Sequence, residues 1–423
     1  MKISVIGLGY VGLPLAAAIA IKTDNMVYGF DKSKTQIDKI KNNICPIDDF
    51  QCEEDLKTAD FEVSDSDVIL NDSDIYIICV PTPVLDDYTP DLEPVKTAVG
   101  TVAKYLKKGQ YVVIESTINP GVCEEVAKPI LEEISGLQAG VDFDIAHCPE
   151  RINPGDPKWN VYNIPRNIGS TRKEATKFLA DFYRSFITGE INEMPDLKTT
   201  EATKIIENTF RDINIAYVNE LAKSFDVLGI DLITVIKGAS NKPFAFMPHF
   251  PGCGVGGHCI PVDPYYLIER AMKSGFDHKY LKLAREINNS MPYYTVELLI
   301  KALNFNEMPL KNTKIGLLGL AYKANIGDLR ESPALVIKSL LEKAGASLEI
   351  FDPYYTEMNT VASTEEILSK VYAILIATDH KEFRAISAHQ LKENNIKIVI
   401  DGKNCLDKDE IKRNNIYYKG IGR

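Results

Sequence analysis

The 423-residue sequence predicts an α/β protein in which two Rossmann-like, doubly wound domains are joined by a central helical domain. Three observations predict this class. A buried strand runs into a glycine turn and a helix at the start of the chain. The same pattern returns near residue 314, and a long stretch between the two is helical. We therefore expect domains over residues 1–195, 196–304 and 305–423.

The first domain begins with a βαβ unit. Residues 3–7 form a short apolar run typical of a buried parallel strand, and the apolar residues after them predict a helix. A second strand at residues 26–30 ends at Asp31. Further strands are predicted at residues 75–80, 111–115 and 144–148. Strands that alternate with helices at this spacing are typical of a doubly wound parallel sheet.

The turn after the first strand has the spacing of a dinucleotide-binding loop, with glycines at 7, 9 and 12. Gly7 permits a tight turn, Gly9 lets the backbone approach a pyrophosphate, and Gly12 lets the helix pack on the strand. The helix N-terminus offers free N–H groups to the phosphates. Asp31 can accept hydrogen bonds from ribose hydroxyls and would repel a 2′-phosphate. The pattern therefore favours NAD, while Lys32 and its neighbours leave NADP open and the fingerprint alone leaves FAD open.

The middle of the chain is helical over residues 196–239 and again over residues 278–304. Lys204, Asn208 and Arg211 fall within an arc of about 60° on the first helix. An apolar stripe lies on the opposite side, made of Ile205, Ile206, Thr209, Phe210, Ile213 and Tyr217. This periodicity by itself favours a solvent-exposed polar face.

A loop rich in glycine, proline and histidine follows at residues 248–264 and contains Cys259. The glycines allow unusual backbone angles and close approach of a ligand, so a thiolate nucleophile is a natural interpretation. Metal binding by Cys253, His258 and Cys259 fits poorly because the spacing matches no known zinc ligand set. The eight cysteines form no CxxC pair, and we expect reduced thiols and no metal.

The third domain opens with a strand at residues 314–319 and a glycine turn that lacks the full three-glycine spacing. A helix near residues 333–344 and a strand ending at Asp352 complete the repeat. Lys323 and Arg330 suggest a phosphate-recognising loop, and solvated loop charges are the alternative.

Composition excludes several functional classes. The hydrophobic fraction of 45% is that of an ordinary globular protein, and the formal net charge is −11. That charge argues against nucleic-acid or anionic-membrane binding, although a local basic pocket can still take an anionic substrate. No signal peptide pattern and no long uncharged apolar run is visible, so we expect a cytoplasmic protein that is not in a membrane.

Taken together, seven segments resemble the UDP-glucose/GDP-mannose dehydrogenase family over essentially the whole chain. These segments are residues 5–14, 80–83, 115–121, 148–155, 207–212, 254–263 and 328–333. The resemblance implies NAD-dependent, four-electron oxidation of the C6 hydroxymethyl group of a nucleotide sugar to a carboxylate. A non-catalytic sugar-nucleotide binding protein on the same fold, or a one-step hydroxyacid dehydrogenase, would have no use for Cys259.

The resemblance also implies roles for individual residues. Cys259 is the nucleophile that forms a thiohemiacetal and then a thioester. Lys204 stabilises the oxyanion with Asn208 beside it. The water that cleaves the thioester is oriented or activated by Asp263 and Glu150, with help from Thr117. Arg211 reaches the sugar site of a neighbouring subunit, which implies a homodimer through the helical domain.

The binding residues follow from the same motifs. The expected NAD-binding set is Gly7, Gly9, Tyr10, Val11, Gly12, Asp31, Thr82, Thr117 and Arg330. The expected UDP-sugar set is Glu150, Arg151, Ile152, Lys204, Asn208, Arg211, Gly256 and Lys323.

The forms of two motifs, around Glu150 and around Cys259, resemble the branch that acts on UDP-N-acetylhexosamines. We favour UDP-N-acetylglucosamine, with the manno and galacto epimers and UDP-glucose as alternatives. Val262 stands where the UDP-glucose branch commonly has lysine, which weakens that assignment. Cys253 stands where branch members more often have proline, and an off-pathway disulfide with Cys259 is conceivable.

Overall fold

The computed structural model describes residues 1–47, 49–85, 88–152 and 158–423. The chain divides into two compact units, Met1–Glu207 with Tyr265–Phe276, and Asn208–Pro264 with Asp277–Arg423. In the part of the chain that the structure describes, no helix is long and apolar enough to cross a bilayer. The three-domain division stays a prediction.

The first unit is built on one twisted sheet, which among the described residues has eight strands. They are β1 (Lys2–Ile6), β2 (Met26–Phe30), β3 (Glu62–Ser64), β4 (Ile75–Ile78), β5 (Tyr111–Ile114), β6 (Asp144–His147), β7 (Arg166–Ser170) and β8 (Ile191–Glu193). Their order is β3-β2-β1-β4-β5-β6-β7-β8, and every pair except β6 with β7 is parallel. The strand order reverses between β1 and β4, where ligands bind in doubly wound folds.

Helices cover this sheet. They are α1 (Gly12–Lys22), α2 (Lys34–Lys41), α3 (Phe50–Leu56), α4 (Glu93–Ala103), α5 (Lys128–Ser135) and α6 (Lys173–Arg184). A 3₁₀ turn at Asp67–Leu70 lies between β3 and β4, and a π-helical turn at Cys123–Ala127 directly precedes α5. The central strands are buried along their whole length, which explains their near-continuous apolar sequence. The predicted strands are confirmed to within two residues, whereas β7 and β8 were not predicted.

The long helix α7 (Leu197–Leu228) crosses the boundary between the two units. It is followed by α8 (Leu232–Ala239), α9 (Asp263–Lys273) and α10 (Lys279–Phe305). Pro292 lies inside α10, which is nevertheless a single helix as predicted.

The second unit contains a parallel sheet whose five described strands have the order β10-β9-β11-β12-β13. They are β9 (Lys314–Leu318), β10 (Ser347–Phe351), β11 (Ala373–Ile376), β12 (Ile398–Asp401) and β13 (Tyr417–Gly420). Its helices are α11 (Pro333–Lys343), α12 (Thr364–Lys370), α13 (Lys381–Arg384), α14 (Ala388–Glu393) and α15 (Lys408–Arg413), with a 3₁₀ turn at Thr356–Met358. The predicted Rossmann-like repeat is confirmed, because the strand order again reverses beside the first strand of the unit.

Asp352, directly after β10, holds the glycine turn that follows β9. One carboxylate oxygen accepts hydrogen bonds from Leu320 N at 2.7 Å and Ala321 N at 3.0 Å, and from His380 Nε2 at 3.1 Å. The other oxygen accepts from two backbone N–H groups of the next turn. Burial raises the pKa of Asp352, but the hydrogen bonds from His380 and the backbone outweigh burial and lower the pKa to about 2.

Asp352→Asn is therefore expected to destabilise the second sheet in a pH-dependent way. The lowered pKa contributes about 2 kcal/mol above the unfolded-state pKa, and this part is lost as the pH falls through the folded-state value. The stability gap between wild type and variant should shrink by about 1 kcal/mol from pH 7 to pH 3. Native-state amide exchange of β9 and β10 measures it, with the exposed Asp409→Asn as control. A gap that stays constant with pH would contradict the assignment.

Candidate active site

The three glycines of the first turn differ in their surroundings. Gly7 has φ +90°, and a Cβ there would lie 2.7 Å from the carbonyl oxygen of Cys79. A Cβ on Gly12 would lie 1.9 Å from the carbonyl oxygen of Gly7. A Cβ on Gly9 would meet nothing within 4 Å. Gly7 and Gly12 are thus required by the fold, whereas Gly9 leaves open space beside the helix N-terminus, where we expect the pyrophosphate of a dinucleotide.

Asp31 lies at the end of β2 and is half-buried. Its Oδ2 accepts from Leu8 N at 2.9 Å and its Oδ1 from Ser33 N at 2.8 Å. A cavity of about 250 Å³ lies beside it, between Gly7, Asp31 and Pro81. The cavity walls are mainly apolar with one carboxylate at the rim, which suits the adenosine end of NAD.

The other predicted cofactor residues of this unit lie around the same strand ends. Thr82 follows β4, and its backbone carbonyl accepts a hydrogen bond from the buried Tyr266 hydroxyl. Thr117, half-buried, follows β5, while Tyr10 is exposed on the glycine turn and Val11 immediately precedes α1. Arg330 belongs to the second unit, and its contact with NAD stays a prediction.

The orientation of α7 differs from what periodicity suggested, although Ile205 and Thr209 of the expected core face are buried, at 0% and 5% exposure. Lys204 and Asn208, expected from the pattern on a solvent-exposed face, are only 8% and 7% exposed. Ile206, Phe210 and Tyr217, from the expected core face, are 59%, 45% and 54% exposed. The interpretation as an ordinary solvated polar face is therefore wrong for Lys204 and Asn208. Periodicity identifies which side of a helix is apolar but does not determine which side faces the interior.

The buried polar face of α7 has the properties of a reactive site. Within the described residues, the Lys204 ammonium group has no hydrogen-bond or ion-pair partner. Asn208 Nδ2 donates to Asp263 Oδ2 at 2.6 Å. Arg211, one turn further, is exposed, and the described residues provide no counter-ion for it. A largely enclosed side chain whose ammonium group lacks a counter-ion among the described residues is suited to a substrate charge.

Cys259 is half-buried and lies just before α9. Its carbonyl oxygen accepts from Val262 N at 3.1 Å and Asp263 N at 2.8 Å, which closes the turn into the helix. A Cβ on Gly256 would lie 2.5 Å from the Tyr322 side chain, and Gly257, with φ +88°, lies against the same ring. Packing against Tyr322 therefore explains both glycines without a ligand, and substrate contact by Gly256 stays a prediction.

Cys253 is a buried thiol that packs against the backbone of Gly402, with its Sγ 3.7 Å from the Gly402 carbonyl oxygen. Burial raises the pKa of Cys253, although Lys403 acts in the opposite direction. A neutral, enclosed thiol of this kind reacts slowly.

Glu150 takes part in a buried ion network that sequence reasoning missed. Its Oε2 pairs with Arg166 Nη2 at 2.7 Å, and Arg166 Nη1 pairs with Glu115 Oε2 at 3.0 Å. Tyr183 donates to the other oxygen of Glu115 at 2.6 Å. Burial raises the pKa of Glu115 above its usual range, against the opposing effect of Arg166. An arginine at the start of a short strand carries no distinctive sequence signal, so the network could not have been read from the pattern.

The second oxygen of Glu150 binds its own loop. It accepts from the backbone N–H groups of Arg151, at 2.5 Å, and Ile152. Arg151 in turn forms a two-point ion pair with Glu207 on α7, with the shorter contact at 2.6 Å. The loop after β6 is thus fixed as far as Ile152, which is half-buried, and the rest of that motif, residues 153–155, lies outside the described residues.

The charged residues of the second glycine turn are partly engaged. Arg330 is exposed and forms a fork with Asp328, at 2.5 to 3.0 Å. Lys323 is half-buried in the same loop. His380 Nδ1 accepts from Asn325 N at 2.8 Å, so its ring proton lies on Nε2 and points to the carboxylate behind the loop. His380 was not identified from the sequence, because a single histidine there carries no pattern.

Gly9→Val should weaken NAD binding without disturbing the fold. The added side chain fills the open space beside the turn, so we expect at least a tenfold higher Kd for NAD, a loss of about 1.4 kcal/mol. Isothermal calorimetry measures the binding, and thermal unfolding checks the fold. Gly238→Ala, another glycine with open surroundings, is the control. Unchanged affinity in Gly9→Val would contradict the placement of the pyrophosphate.

Comparison with known proteins agrees with this arrangement. Models of the UDP-glucose/GDP-mannose dehydrogenase family match residues 1–187 as the NAD binding domain, 198–290 as the central domain and 316–408 as the UDP binding domain. A UDP-N-acetyl-D-mannosamine dehydrogenase of Pyrococcus horikoshii is 38% identical, covering 100% of this chain and 99% of the relative. A UDP-N-acetyl-D-glucosamine 6-dehydrogenase of Pseudomonas aeruginosa is 35% identical, covering 97% and 98%.

A solved structure of UDP-D-ManNAc dehydrogenase from Pyrococcus horikoshii superposes with a TM-score of 0.93 at 36% identity, covering 100% of this chain and 99% of that one. The predicted fold, the NAD cofactor and the oxidoreductase class are confirmed. The chain belongs to the UDP-glucose/GDP-mannose dehydrogenase family of NAD-dependent nucleotide-sugar dehydrogenases.

Proposed function

We propose that this protein oxidises C6 of a UDP-N-acetylhexosamine from the alcohol to the carboxylate, and so supplies a sugar acid for polysaccharide synthesis. The observation that carries the proposal is the largely enclosed side chain of Lys204, whose ammonium group lacks a counter-ion among the described residues. Such a group is tolerated where a negative charge develops during the reaction, because it then stabilises the transition state more than the ground state.

The second oxidation requires a nucleophile such as Cys259. Loss of the first hydride converts the C6 alcohol to an aldehyde, which is a poor hydride donor. When the Cys259 thiolate adds to that aldehyde, C6 becomes a thiohemiacetal at the alcohol level of oxidation. Loss of a second hydride gives a thioester, and water cleaves its C–S bond to release the carboxylate and the thiol. NAD, when bound, supplies the hydride acceptor for both oxidations.

Side chains are assigned to the oxyanion at C6 and to the water that cleaves the thioester. Lys204 and Asn208 stabilise the oxyanion that forms at C6. Asp263, hydrogen-bonded to Asn208, orients the water that cleaves the thioester. Thr117 is proposed to assist with that water. Because both oxygens of Glu150 are engaged by Arg166 and by backbone N–H groups, we assign to it the orientation of its loop rather than proton transfer.

The exact sugar is the finer part of the proposal. The sequence motifs led us to favour UDP-N-acetylglucosamine, whereas a relative of 38% identity is named for the manno epimer and one of 35% for the gluco epimer. The epimers differ in the orientation of one acetamido group, so discrimination depends on which polar group is left without a partner. We therefore propose the N-acetylhexosamine class, with the manno and gluco epimers assayed side by side.

The test is an NAD-reduction assay over UDP-sugars. We expect two NADH per sugar consumed with one N-acetylhexosamine epimer, and a kcat/KM for UDP-glucose that is lower by at least about tenfold. Cys259→Ala should lose nearly all acid formation while binding NAD normally, and Cys253→Ala is the matched control because its thiol is enclosed. One NADH per sugar in the wild type, or normal acid formation in Cys259→Ala, would overturn the proposed chemistry.

We further propose a homodimer formed through the apolar face of α7. Ile206, Phe210 and Tyr217 expose a stripe on one side of this helix, and soluble monomers seldom leave such a stripe uncovered. A second copy of the same helix is a suitable occupant, because an isologous interface pairs a surface with itself. Arg211, exposed beside the stripe, would then extend to the sugar of the neighbouring subunit.

Phe210→Glu should convert the dimer to a monomer, because it places a charge in an apolar interface. Sedimentation velocity measures the mass, and Val141→Glu, at a 66% exposed site in the first unit, is the control. Arg211→Ala should remain dimeric and raise the KM for the UDP-sugar. A wild-type protein that is monomeric at micromolar concentration would contradict the proposed homodimer.

A further inference from the structure

The segment from Gly252 to Asp263, here called the nucleophile loop, is hydrogen-bonded to α7 at both of its ends. At one end Gly252 N donates to Asn219 Oδ1 at 3.0 Å. At the other, Asp263 Oδ2 accepts from Asn208 Nδ2 at 2.6 Å, while Asp263 N donates to the Cys259 carbonyl oxygen at 2.8 Å. The two anchors on α7 are three turns apart, about 16 Å along the helix axis. The loop that carries Cys259 is therefore held at two separated points on one rigid element.

Asn219 is itself held by a buried polar chain from α10. Its Nδ2 donates to Asn288 Oδ1 at 2.9 Å. Asn288 Nδ2 donates to Asp212, both to the side-chain Oδ1 at 2.8 Å and to the backbone oxygen at 3.0 Å. Arg285 Nη1 pairs with the same Oδ1 of Asp212 at 2.5 Å. The amide of Asn219 has its donor and acceptor both committed, so its orientation is fixed.

The chain is too deeply buried to be a surface detail. Asn219 is 0% exposed, Asn288 and Asp212 are 1% exposed, and Arg285 is 4% exposed. Burial raises the pKa of Asp212, while Arg285 and Asn288 act in the opposite direction. Apolar side chains of similar volume would pack at lower cost, so stability alone does not account for these four residues. Buried polar groups add positional specificity, because a hydrogen bond specifies the position of the atom it binds.

Asn288, a member of this hydrogen-bonded chain, also restricts the position of the nucleophile loop through its backbone. A Cβ on Gly254, whose φ is +134°, would lie 3.3 Å from the backbone oxygen of Asn288 and 3.1 Å from the Pro333 ring. The loop is therefore packed closely against α10 at the residue after Cys253. A shift of Asn288 would be transmitted to the loop both through Asn219 and through this contact.

We infer that Asn219 is a positioning residue that sets the register of the nucleophile loop for attack of the Cys259 thiolate on the C6 aldehyde. The inference rests on the proposed two-step function. The first oxidation needs no thiolate, whereas the second does, so a displaced loop should spare aldehyde formation and impair its capture. Misplacement by about 1 Å is enough to slow such a step by about a hundredfold.

The decisive variant is Asn219→Ala, with Asn214→Ala as the matched control. Asn214 lies on the same helix, and among the described residues its amide donates only to the carbonyl oxygen of Phe210, one turn earlier. For Asn219→Ala we expect acid formation to fall 10- to 100-fold, free aldehyde to be trapped by a hydrazine, and the NADH yield per sugar to drop from two towards one. The Kd for NAD should be unchanged. If the alanine variant is insoluble, Asn219→Ser serves, because a hydroxyl is too short to bond both Asn288 and Gly252.

A merely structural role predicts a different result. General destabilisation would slow both oxidations together and leave the ratio at two NADH per sugar, with no trapped aldehyde. That outcome would overturn the inference.

The rate of Cys259 alkylation by iodoacetamide, followed on its peptide by mass spectrometry, tests the positioning without any sugar. We expect it to change at least threefold in Asn219→Ala and not in Asn214→Ala. If the wild type fails to oxidise any UDP-sugar, the proposed function fails while the alkylation comparison still decides the positioning. An unchanged rate of Cys259 alkylation in Asn219→Ala would overturn the positioning role of Asn219.

Discussion

The central constraint on this structure is the orientation of α7. It encloses the side chains of Lys204 and Asn208 together with the apolar Ile205, and within the described residues no carboxylate pairs with the Lys204 ammonium group. A largely enclosed cation without a counter-ion is suited to stabilise a negative charge that develops during a reaction. The same orientation leaves Ile206 and Phe210 exposed, so one helix provides an interior cation and an exterior apolar stripe. The proposed catalytic role of Lys204 and the proposed dimer therefore both depend on the orientation of α7.

The two glycine turns show how one supersecondary unit serves different purposes. Asp31 and Asp352 occupy the same position, directly after the second strand of a βαβ unit, and each accepts from the N–H group one residue after the turn's glycine. Asp31 accepts two backbone N–H groups and stays half-buried, which leaves it able to bind a ribose. Asp352 is completely buried and is saturated by four N–H groups and His380. The second carboxylate therefore stiffens its loop and has no capacity for a ligand.

Strand positions and the order of the elements could be predicted because parallel strands leave near-continuous apolar runs, and because glycine directly follows β1 and β9. The strand at Ser347–Phe351 and the helix at Lys279–Phe305 were placed to within a residue. The orientation of α7 could not be predicted from its own sequence, since both its faces carry a coherent stripe. The Arg166 ion network could not be predicted from the sequence. Glu115, Glu150 and Arg166 are far apart along the chain and meet only through the pairing of neighbouring strands.

Loops beside the proposed chemistry share one method of support. Each is rich in proline or glycine and so has backbone N–H groups that no helix or strand satisfies. Glu150 accepts from Ile152 N, Glu201 from Gly121 N and Cys123 N, and Asn219 from Gly252 N. These acceptors are buried, so each fixes its own loop at a defined point.

A reaction that oxidises one carbon twice needs such support more than a single transfer does. The nucleophile must reach C6 after the first oxidation, when the substrate has already changed geometry from tetrahedral to planar. A flexible loop could follow the carbon but would lose conformational entropy on ordering at each step. A loop held in advance loses that entropy once, during folding. Irregular backbone fixed by buried side-chain acceptors thus combines the close approach that glycine permits with the precision that covalent capture of an aldehyde requires.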